Sequence, residues 1–301
     1  MKEFNNRKIA DKFAEYITGD ELRRYIAKKV HQYVGDNPTV FDGACGSGQL
    51  EQYVNASFIQ GIEIQKEACD VFQENYPTSK VVNDSFFNQS GFANFDCIIM
   101  NPPFSIKFKD LSEIEQSNIQ SEFEWKKSGV VDDIFVLKSI QYAKDYGFYI
   151  LFPGVTYRTQ EQKFRDLLGN SLVELNSVEN AFEDTSIAIV VLVLKKSKMI
   201  TDVKKEIYDC KTKQVKFSEI ITNPEDVWSI PRIPQEKESI DIEQLEADIA
   251  RMKARRRRIE DKLDKFIYET FKAPSTQEIS DKEQEQLTLF LERVEHEKEK
   301  N

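Results

Sequence analysis

The sequence predicts an α/β fold, in which a doubly wound, mostly parallel seven-stranded sheet is followed by a C-terminal helical, coiled-coil appendage. Short apolar segments alternate with segments of helical periodicity from residue 39 onward, as expected when crossover helices join parallel strands. A glycine-rich turn follows the first strand, and a polar residue stands at the end of each of the first four. In such sheets ligands bind beyond the carboxyl ends of the strands.

The elements are predicted from apolar periodicity and from turn residues. Residues 7–34 are predicted to be helical, with Asp20 capping the second part of this helical segment. Strands are predicted at residues 39–41, 58–64, 80–82, 95–100, 147–152, 172–178 and 186–194, and helices at 50–55, 66–76, 130–143 and 161–168. The polar segment 105–128 is predicted to be a mobile loop over the site.

Four segments follow from this pattern: an N-terminal helical segment (1–36), an α/β domain (37–198), an edge segment with a linker (199–235) and a helical coiled-coil region (236–301). The edge segment is expected to hold a hairpin. The last region carries apolar residues three and four positions apart, namely Ile242, Leu245, Ile249, Met252, Ile259, Leu263 and Phe266. A helix with this apolar stripe needs a partner helix.

The apolar stripe predicts either a homodimer or binding to another protein. Arg256 takes one core position of the heptad pattern, and it belongs to a basic cluster formed by Arg251 and residues 253–258. A solvated coiled-coil face is the simpler interpretation of this cluster. Contact with nucleic-acid phosphates beside a partner is the alternative.

Composition excludes several function classes. The net charge is −10 and the sequence pI is about 5.0, so any nucleic-acid contact must be local. The four cysteines are scattered, which argues against a zinc site or a disulfide framework and fits a reducing cytosol. The charged N-terminus does not resemble a signal peptide, and no apolar run approaches the ~20 residues of a membrane helix. We therefore expect a cytoplasmic protein without metal or membrane contact.

The glycine turn has the spacing Gly43-x-x-Gly46-x-Gly48 and directly follows Asp42. This differs from the G-x-G-x-x-G spacing of dinucleotide sites. Glycines let the backbone approach a ligand closely. A tight turn between a strand and a helix, without any ligand, is the alternative interpretation.

Two carboxylates extend the pattern toward an adenosine-containing ligand. Glu63 ends the second predicted strand, and there it can accept hydrogen bonds from both ribose hydroxyls; Asp84 follows the third strand and can accept one from an adenine amino group. No lysine, serine or threonine follows the glycine turn as it would in a P-loop. S-adenosylmethionine therefore fits better than a phosphate-bearing nucleotide.

The loop Asn101-Pro102-Pro103-Phe104 is the more specific motif. An exocyclic amine is a poor nucleophile, because its lone pair is delocalised into the ring. The Asn101 side-chain oxygen and the Pro102 carbonyl can accept its hydrogens and stabilise developing charge. The prolines stiffen the loop, and Phe104 offers a face for an extruded base. A proline turn that merely caps a strand is the alternative.

Taken in order, FDGACGSG, GIEI, NDSFF and NPPF resemble the N6-adenine DNA methyltransferases that use S-adenosylmethionine. Residues 154–194, including FEDTSIAIVVLVLKK, are similar to the modification subunits of type I restriction systems. The resemblance covers residues 11–196. It implies the S-adenosylmethionine-dependent methyltransferase fold, DNA as substrate and a separate specificity subunit that reads the target sequence.

The resemblance also implies roles for individual residues. The cofactor side consists of Asp42, Gly43, Gly46 and Gly48 toward the methionine part, Glu63 toward the ribose and Asp84 toward the adenine, with Ile64 and Ser85 beside them. Asn101, Pro102, Pro103 and Phe104 take the target base, with Phe182 as a second wall.

The chain departs from the family pattern near its N-terminus. Where the family often has an aromatic-Thr-Pro element, this sequence has Tyr16-Ile17-Thr18-Gly19. Three other functions stay open at this stage: methylation of RNA adenine, methylation of a protein glutamine, and a partner-dependent scaffold that keeps the cofactor fold.

Overall fold

A computed structural model of the chain describes residues 1–2, 18–182, 187–196, 202–234, 242–270, 285–286 and 288–289. The predictions for residues 7–17, for 186 and for the rest of the coiled-coil region 236–301 lie outside these described residues. The chain divides into two compact units, residues 1–234 and 235–301.

The first unit contains one twisted sheet. The described residues form nine strands, β1 (Thr39–Asp42), β2 (Phe58–Glu63), β3 (Lys80–Asn83), β4 (Phe95–Met100), β5 (Ala143–Leu151), β6 (Leu172–Glu179), β7 (Ile189–Lys195), β8 (Val203–Asp209) and β9 (Gln214–Ile221). Their order in the sheet is 3-2-1-4-5-7-6-8-9. Strands β1 to β5 are parallel to one another, while β7 runs antiparallel between β5 and β6.

The predicted α/β fold with a mostly parallel sheet is confirmed, but the predicted number of seven strands is wrong. The expected hairpin exists as β8 and β9. It extends the same sheet, because β8 pairs in parallel with the outer edge of β6. The second strand of the hairpin, β9, then becomes the edge.

Six helices accompany the strands in the described residues: α1 (Asp20–Tyr33), α2 (Lys66–Asn75), α3 (Glu113–Glu122), α4 (Asp132–Ser139), α5 (Gln162–Leu168) and α6 (Ile242–Thr270). Asp20 is the first helical residue of α1, and Gly19 takes the cap position that was predicted for Asp20. An acidic side chain in the first turn still interacts favourably with the helix dipole.

Three local predictions are wrong. The helix predicted over 130–143 is too long, because α4 ends at Ser139 and β5 already begins at Ala143. Residues 50–55 form successive turns instead of a helix: Val54 donates its backbone N–H to Glu51, three residues back, and Asn55 leaves the segment at a positive φ of 55°. The segment 105–128, predicted to be a loop, contains α3. This helix begins with a capping box in which Ser112 and Glu115 exchange hydrogen bonds with each other's backbone.

The core lies on both faces of the sheet. Along β4, Ile98 and Met100 pack into one apolar cluster, and Cys97 and Ile99 pack into the other. This alternation is the period-two pattern of a strand that is covered on both sides. The apolar segment β7 is buried along nearly its whole length and lies between β5 and β6, as predicted for a central strand.

Gly48 allows a tight crossing between the glycine turn and the end of α2. Its φ is +80°, and a Cβ at this position would lie 2.4 Å from Cε2 of Tyr76. The Tyr76 hydroxyl also donates to the Gly48 carbonyl at 2.7 Å. Gly35 is a matched control, because its φ is +94° and a Cβ there would meet nothing within 4 Å.

We expect Gly35→Ala to lower the free energy of unfolding by about 1 kcal/mol, the cost of an unfavourable φ. Gly48→Ala should lower it by a further ~1–3 kcal/mol, because the methyl group overpacks the contact with Tyr76. Urea unfolding of the full chain measures both variants. Equal losses would contradict the tight crossing.

The second unit is described by helix α6. Its apolar stripe is exposed at Met252, Ile259, Leu263 and Phe266 among the described residues; a coiled-coil partner for this stripe stays a prediction. Across the described residues, every helix is too short or too polar to cross a bilayer.

Candidate active site

Four polar residues that follow neighbouring strands meet at one cavity. Asp42 ends β1, Glu63 ends β2, Asp84 follows β3 and Asn101 follows β4. Because these strands are parallel, their carboxyl ends share one edge of the sheet. All four residues line a cavity of about 510 Å³, which is within the usual size range of small-molecule sites.

The glycine turn is held in place by two of these carboxylates. Asp42 Oδ1 accepts the backbone N–H of Ala44 at 2.8 Å. Glu63 Oε2 accepts the N–H of Gly46 at 3.0 Å, and its Oε1 accepts the N–H of Gln65 at 2.8 Å. Each carboxylate oxygen can accept more than one hydrogen bond, so Glu63 keeps the capacity to accept from a ligand.

The structure brings only part of the predicted glycine set to the cavity. Gly43 and Gly46 line it together with Ile64. Gly48 is not among the lining residues; instead, it packs against Tyr76. The need for glycine at this position is therefore explained by the crossing with the end of α2.

A second carboxylate lies under the turn beside Asp42. Glu51 is buried, as is Asp42. Burial raises the pKa of both carboxyls, and the negative charge of Glu51 further raises that of Asp42. The pair therefore carries fewer than two negative charges near neutral pH. Sequence reasoning missed Glu51, because nothing local indicates that residues 50–55 turn inward.

Asp84 is ionised and held by local donors. The Asn88 side chain donates to Oδ1 at 3.1 Å and the Gln89 side chain to Oδ2 at 2.6 Å, and the Asn88 hydrogen bond is the largest cause of the lowered pKa of Asp84. The next residue, Ser85, donates its hydroxyl to Glu115 at 2.5 Å. The region predicted to be a loop thus contributes a wall, since Asp110 and Glu115 also line the cavity.

The Asn-Pro-Pro-Phe loop begins directly at the end of β4. Asn101, Pro102, Pro103 and Phe104 all line the cavity. The Asn101 side-chain nitrogen donates to the Thr18 hydroxyl at 3.0 Å, and this bond fixes the rotation of the amide. Thr18 belongs to the element that departs from the family pattern. Despite the missing proline, its threonine reaches both the cavity and Asn101.

Phe104 and Phe182, the two predicted walls for a base, contact each other directly. Their ring centroids lie 6.4 Å apart, with the ring planes at 73°. Both side chains are buried. Phe104 lines the cavity, whereas Phe182 is not among the lining residues and packs against Phe104. Of the two predicted walls, the structure therefore places only Phe104 at the cavity.

A buried carboxylate that sequence reasoning missed holds the far end of this loop. Asp132, only 1% exposed, begins α4. Its Oδ1 accepts the backbone N–H of Ser105 at 3.0 Å, and Ser105 has a positive φ of 62°. Within the described chain, Oδ2 has no hydrogen-bond partner. Asp132 thus holds the residue that follows Phe104 in an unfavourable backbone conformation.

Burial raises the pKa of Asp132 to about 6, against about 3.9 in an unfolded chain. Between these values the folded protein keeps a proton that the unfolded chain has lost, so Asp132 lowers stability as the pH rises from about 4 to about 7. An asparagine at this position cannot ionise. We expect the stability of Asp132→Asn relative to the wild type to increase by about 2 kcal/mol between about pH 4 and pH 8.

Urea unfolding at a series of pH values measures this difference. Asparagine keeps the oxygen that accepts from Ser105, so the loop contact itself is preserved in the variant. A stability difference that stays constant from about pH 4 to pH 8 would contradict a raised pKa for Asp132.

Fold and cavity together define an α/β protein with a cavity of small-molecule size beyond the carboxyl ends of its parallel strands. The sequence profile of the N-6 DNA Methylase family matches residues 1–255. The chain therefore belongs to the N-6 DNA methylase family, and the resemblance found in the sequence is confirmed.

The chain is also similar to individual proteins in sequence and to solved structures in fold. The methylase subunit of the type I restriction enzyme MpnII from Mycoplasma pneumoniae is 26% identical over 227 residues, which are 61% of this chain and 40% of the relative. A type I methyltransferase subunit from Streptococcus thermophilus has a TM-score of 0.54 at 21% identity, over 66% of this chain and 49% of that one.

A modification subunit of a type I restriction enzyme from Vibrio vulnificus has a TM-score of 0.55 at 16% identity, over 69% of this chain and 52% of that one. At these identities the structural similarity shows the fold. The chain spans about half or less of the length of these relatives.

Proposed function

We propose that this chain transfers a methyl group from S-adenosylmethionine to N6 of a flipped adenine in DNA, as the modification subunit of a type I restriction-modification system. One observation carries the proposal: a member of the N-6 DNA methylase family places Glu63, Asp84 and the Asn101–Phe104 loop around a single cavity beside the glycine turn.

The charge of the cavity favours this cofactor. Besides the buried Asp42, four carboxylates line it, namely Glu63, Asp84, Asp110 and Glu115, and none of the described lining residues is lysine or arginine. Such a lining repels the phosphates of a nucleotide and stabilises a cationic ligand. When bound, S-adenosylmethionine supplies an electrophilic methyl group on its sulfonium.

The cofactor side of the cavity would hold the ligand by its two ends. Glu63 accepts the ribose hydroxyls and Asp84 the adenine amino group, with Ile64 and Ser85 beside them. Asp42, Gly43 and Gly46 face the methionine part.

The base side consists of the Asn-Pro-Pro-Phe loop. Asn101 Oδ1 and the Pro102 carbonyl accept hydrogen bonds from the two N–H groups of the adenine amine. These bonds reduce the delocalisation of the nitrogen lone pair into the ring, so that the nitrogen can form a bond to the methyl group. Thr18 holds the amide of Asn101 in position, and Phe104 stacks on the base. The methylated amine is cationic and loses one proton to water. No strong base is needed.

Recognition of the target sequence would depend on a partner. Helix α6 presents an exposed apolar stripe, which we assign to a specificity subunit or to a second copy of this chain. The basic cluster around Arg256 then lies beside that partner and can contact DNA phosphates. The scattered, buried cysteines fit the predicted cytoplasmic location.

The test is a transfer assay with methyl-labelled cofactor. The chain is co-expressed with its neighbouring genes, purified and incubated separately with duplex DNA, RNA and protein. We expect label in DNA alone, recovered as N6-methyladenine after digestion. Label in RNA or in protein glutamine would overturn the proposal, and so would cofactor binding without transfer to any of the three.

A further inference from the structure

Gln49 is a buried amide at the cavity to which no function has been assigned. It follows the glycine turn directly, is 8% exposed and lines the cavity. Its side-chain nitrogen is buried, and no acceptor for it exists among the described residues. A buried donor without a partner costs about 1–3 kcal/mol, and nearly all such groups in native proteins have one. A ligand of the cavity could supply the missing acceptor.

The composition of the cavity indicates which ligand group this is. With five carboxylates and no lysine or arginine in the described lining, an anionic ligand group has to be bound by neutral donors. The side-chain nitrogen of Asn101 already donates to Thr18. Gln49 Nε2 is therefore a suitable neutral donor for an anionic acceptor.

The position of Gln49 indicates which part of the ligand it would contact. Its side-chain oxygen lies 3.9 Å from the point that a Cβ on Gly46 would take, so the amide lies against the glycine turn. In the proposed function this turn faces the methionine part, while the ribose and the adenine lie toward Glu63 and Asp84. The anionic acceptor of the methionine part is its carboxylate.

We propose that Gln49 Nε2 binds the carboxylate of the cofactor's methionine part, and that it selects ligands carrying this group. The inference rests on the proposed cofactor. The described lining residues include no cationic side chain that could bind this carboxylate. The Gln49 contact compensates for that absence, because hydrogen bonds to a charged group are stronger than those between neutral groups.

Calorimetric titration of the full chain with two ligands tests this role. S-adenosylhomocysteine keeps the amino acid part, whereas 5′-methylthioadenosine lacks it. We expect Gln49→Met to weaken S-adenosylhomocysteine about tenfold or more and to leave the affinity for 5′-methylthioadenosine within about twofold. Gln49→Glu should weaken S-adenosylhomocysteine further, because two carboxylates then repel each other.

Glu63→Gln is the matched control at the other end of the cavity, and it should weaken both ligands alike. The Gln49→Met variant should fold, because methionine replaces an unpartnered buried amide with an apolar chain of similar length; thermal unfolding checks this.

Unchanged affinity of Gln49→Met for S-adenosylhomocysteine would overturn the inference, and so would an equal loss for both ligands. If the wild-type chain bound neither ligand, the proposed cofactor itself would be overturned, and the assignment of Gln49 with it.

Discussion

Asn101→Ala is expected to reduce the rate of methyl transfer to DNA by about a hundredfold or more, while the affinity for the cofactor changes little. The variant loses the side-chain oxygen that we propose accepts from the adenine amine, and removal of one such transition-state contact costs about 10²–10³-fold in kcat. The residues proposed to contact the cofactor, Glu63 and Asp84, stand at the end of β2 and after β3, away from the loop that follows β4. Single-turnover transfer and calorimetric titration with S-adenosylhomocysteine separate the two effects.

Two further variants sharpen this test. Thr18→Val removes the hydroxyl that holds the Asn101 amide at 3.0 Å, so we expect a smaller loss of kcat than in Asn101→Ala. Asn223→Ala is the control, because Asn223 donates one exposed hydrogen bond to Asp226 in the turn after β9, does not line the cavity and should leave transfer unchanged. Normal transfer by Asn101→Ala would contradict the role given to the loop.

Phe266→Asp is expected to abolish assembly through helix α6. Phe266 lies on the apolar stripe, three residues after Leu263, and is 62% exposed. In a two-helix seam this ring is buried against the partner, and a carboxylate in its place would have to be desolvated without a counter-charge. We expect the affinity between the partners to fall by about a hundredfold or more.

The matched control for this variant is Tyr268→Asp. Tyr268 is an aromatic residue of the same helix with similar exposure, 65%, but it lies off the apolar stripe. Sedimentation of the chain co-expressed with its neighbouring genes should show an intact assembly for the wild type and for Tyr268→Asp, and dissociated chains for Phe266→Asp. Identical behaviour of the two variants would contradict a heptad interface.

Much of the fold could be predicted because its signals are local. The apolar run of β4 gives both of its bounds correctly, and the burial of β7 follows from its unbroken apolar sequence. The capping box of α3 was also a local signal, Ser112 followed three residues later by Glu115. Apolar periodicity alone does not indicate α3, because the surrounding segment lacks it.

The parts of the site that could not be predicted depend on distant contacts. Thr18 meets Asn101 across 83 positions of sequence, and Asp132 meets Ser105 across 27. Neither pair leaves a pattern in a single sequence. The pairing of β8 with β6 is of the same kind, because a hairpin does not reveal which edge of a sheet it will join.

The sequence motifs predict many of the residues that line the cavity. Asp42, Glu63, Asp84 and Asn101 were predicted to meet because each stands at or just after the end of a parallel strand, and the structure places all four at one cavity. Gly48 was predicted to face the cavity but packs against Tyr76 instead. A sequence does not distinguish a glycine that permits close packing from one that faces a ligand.

The most direct measurement for the whole account is a map of modified bases in genomic DNA from cells that express this chain with its neighbouring genes. We expect N6-methyladenine at one defined sequence, and its disappearance when Asn101→Ala replaces the wild type. Genomic DNA without N6-methyladenine, or with methyl groups that persist in the Asn101→Ala strain, would contradict adenine methylation by this chain.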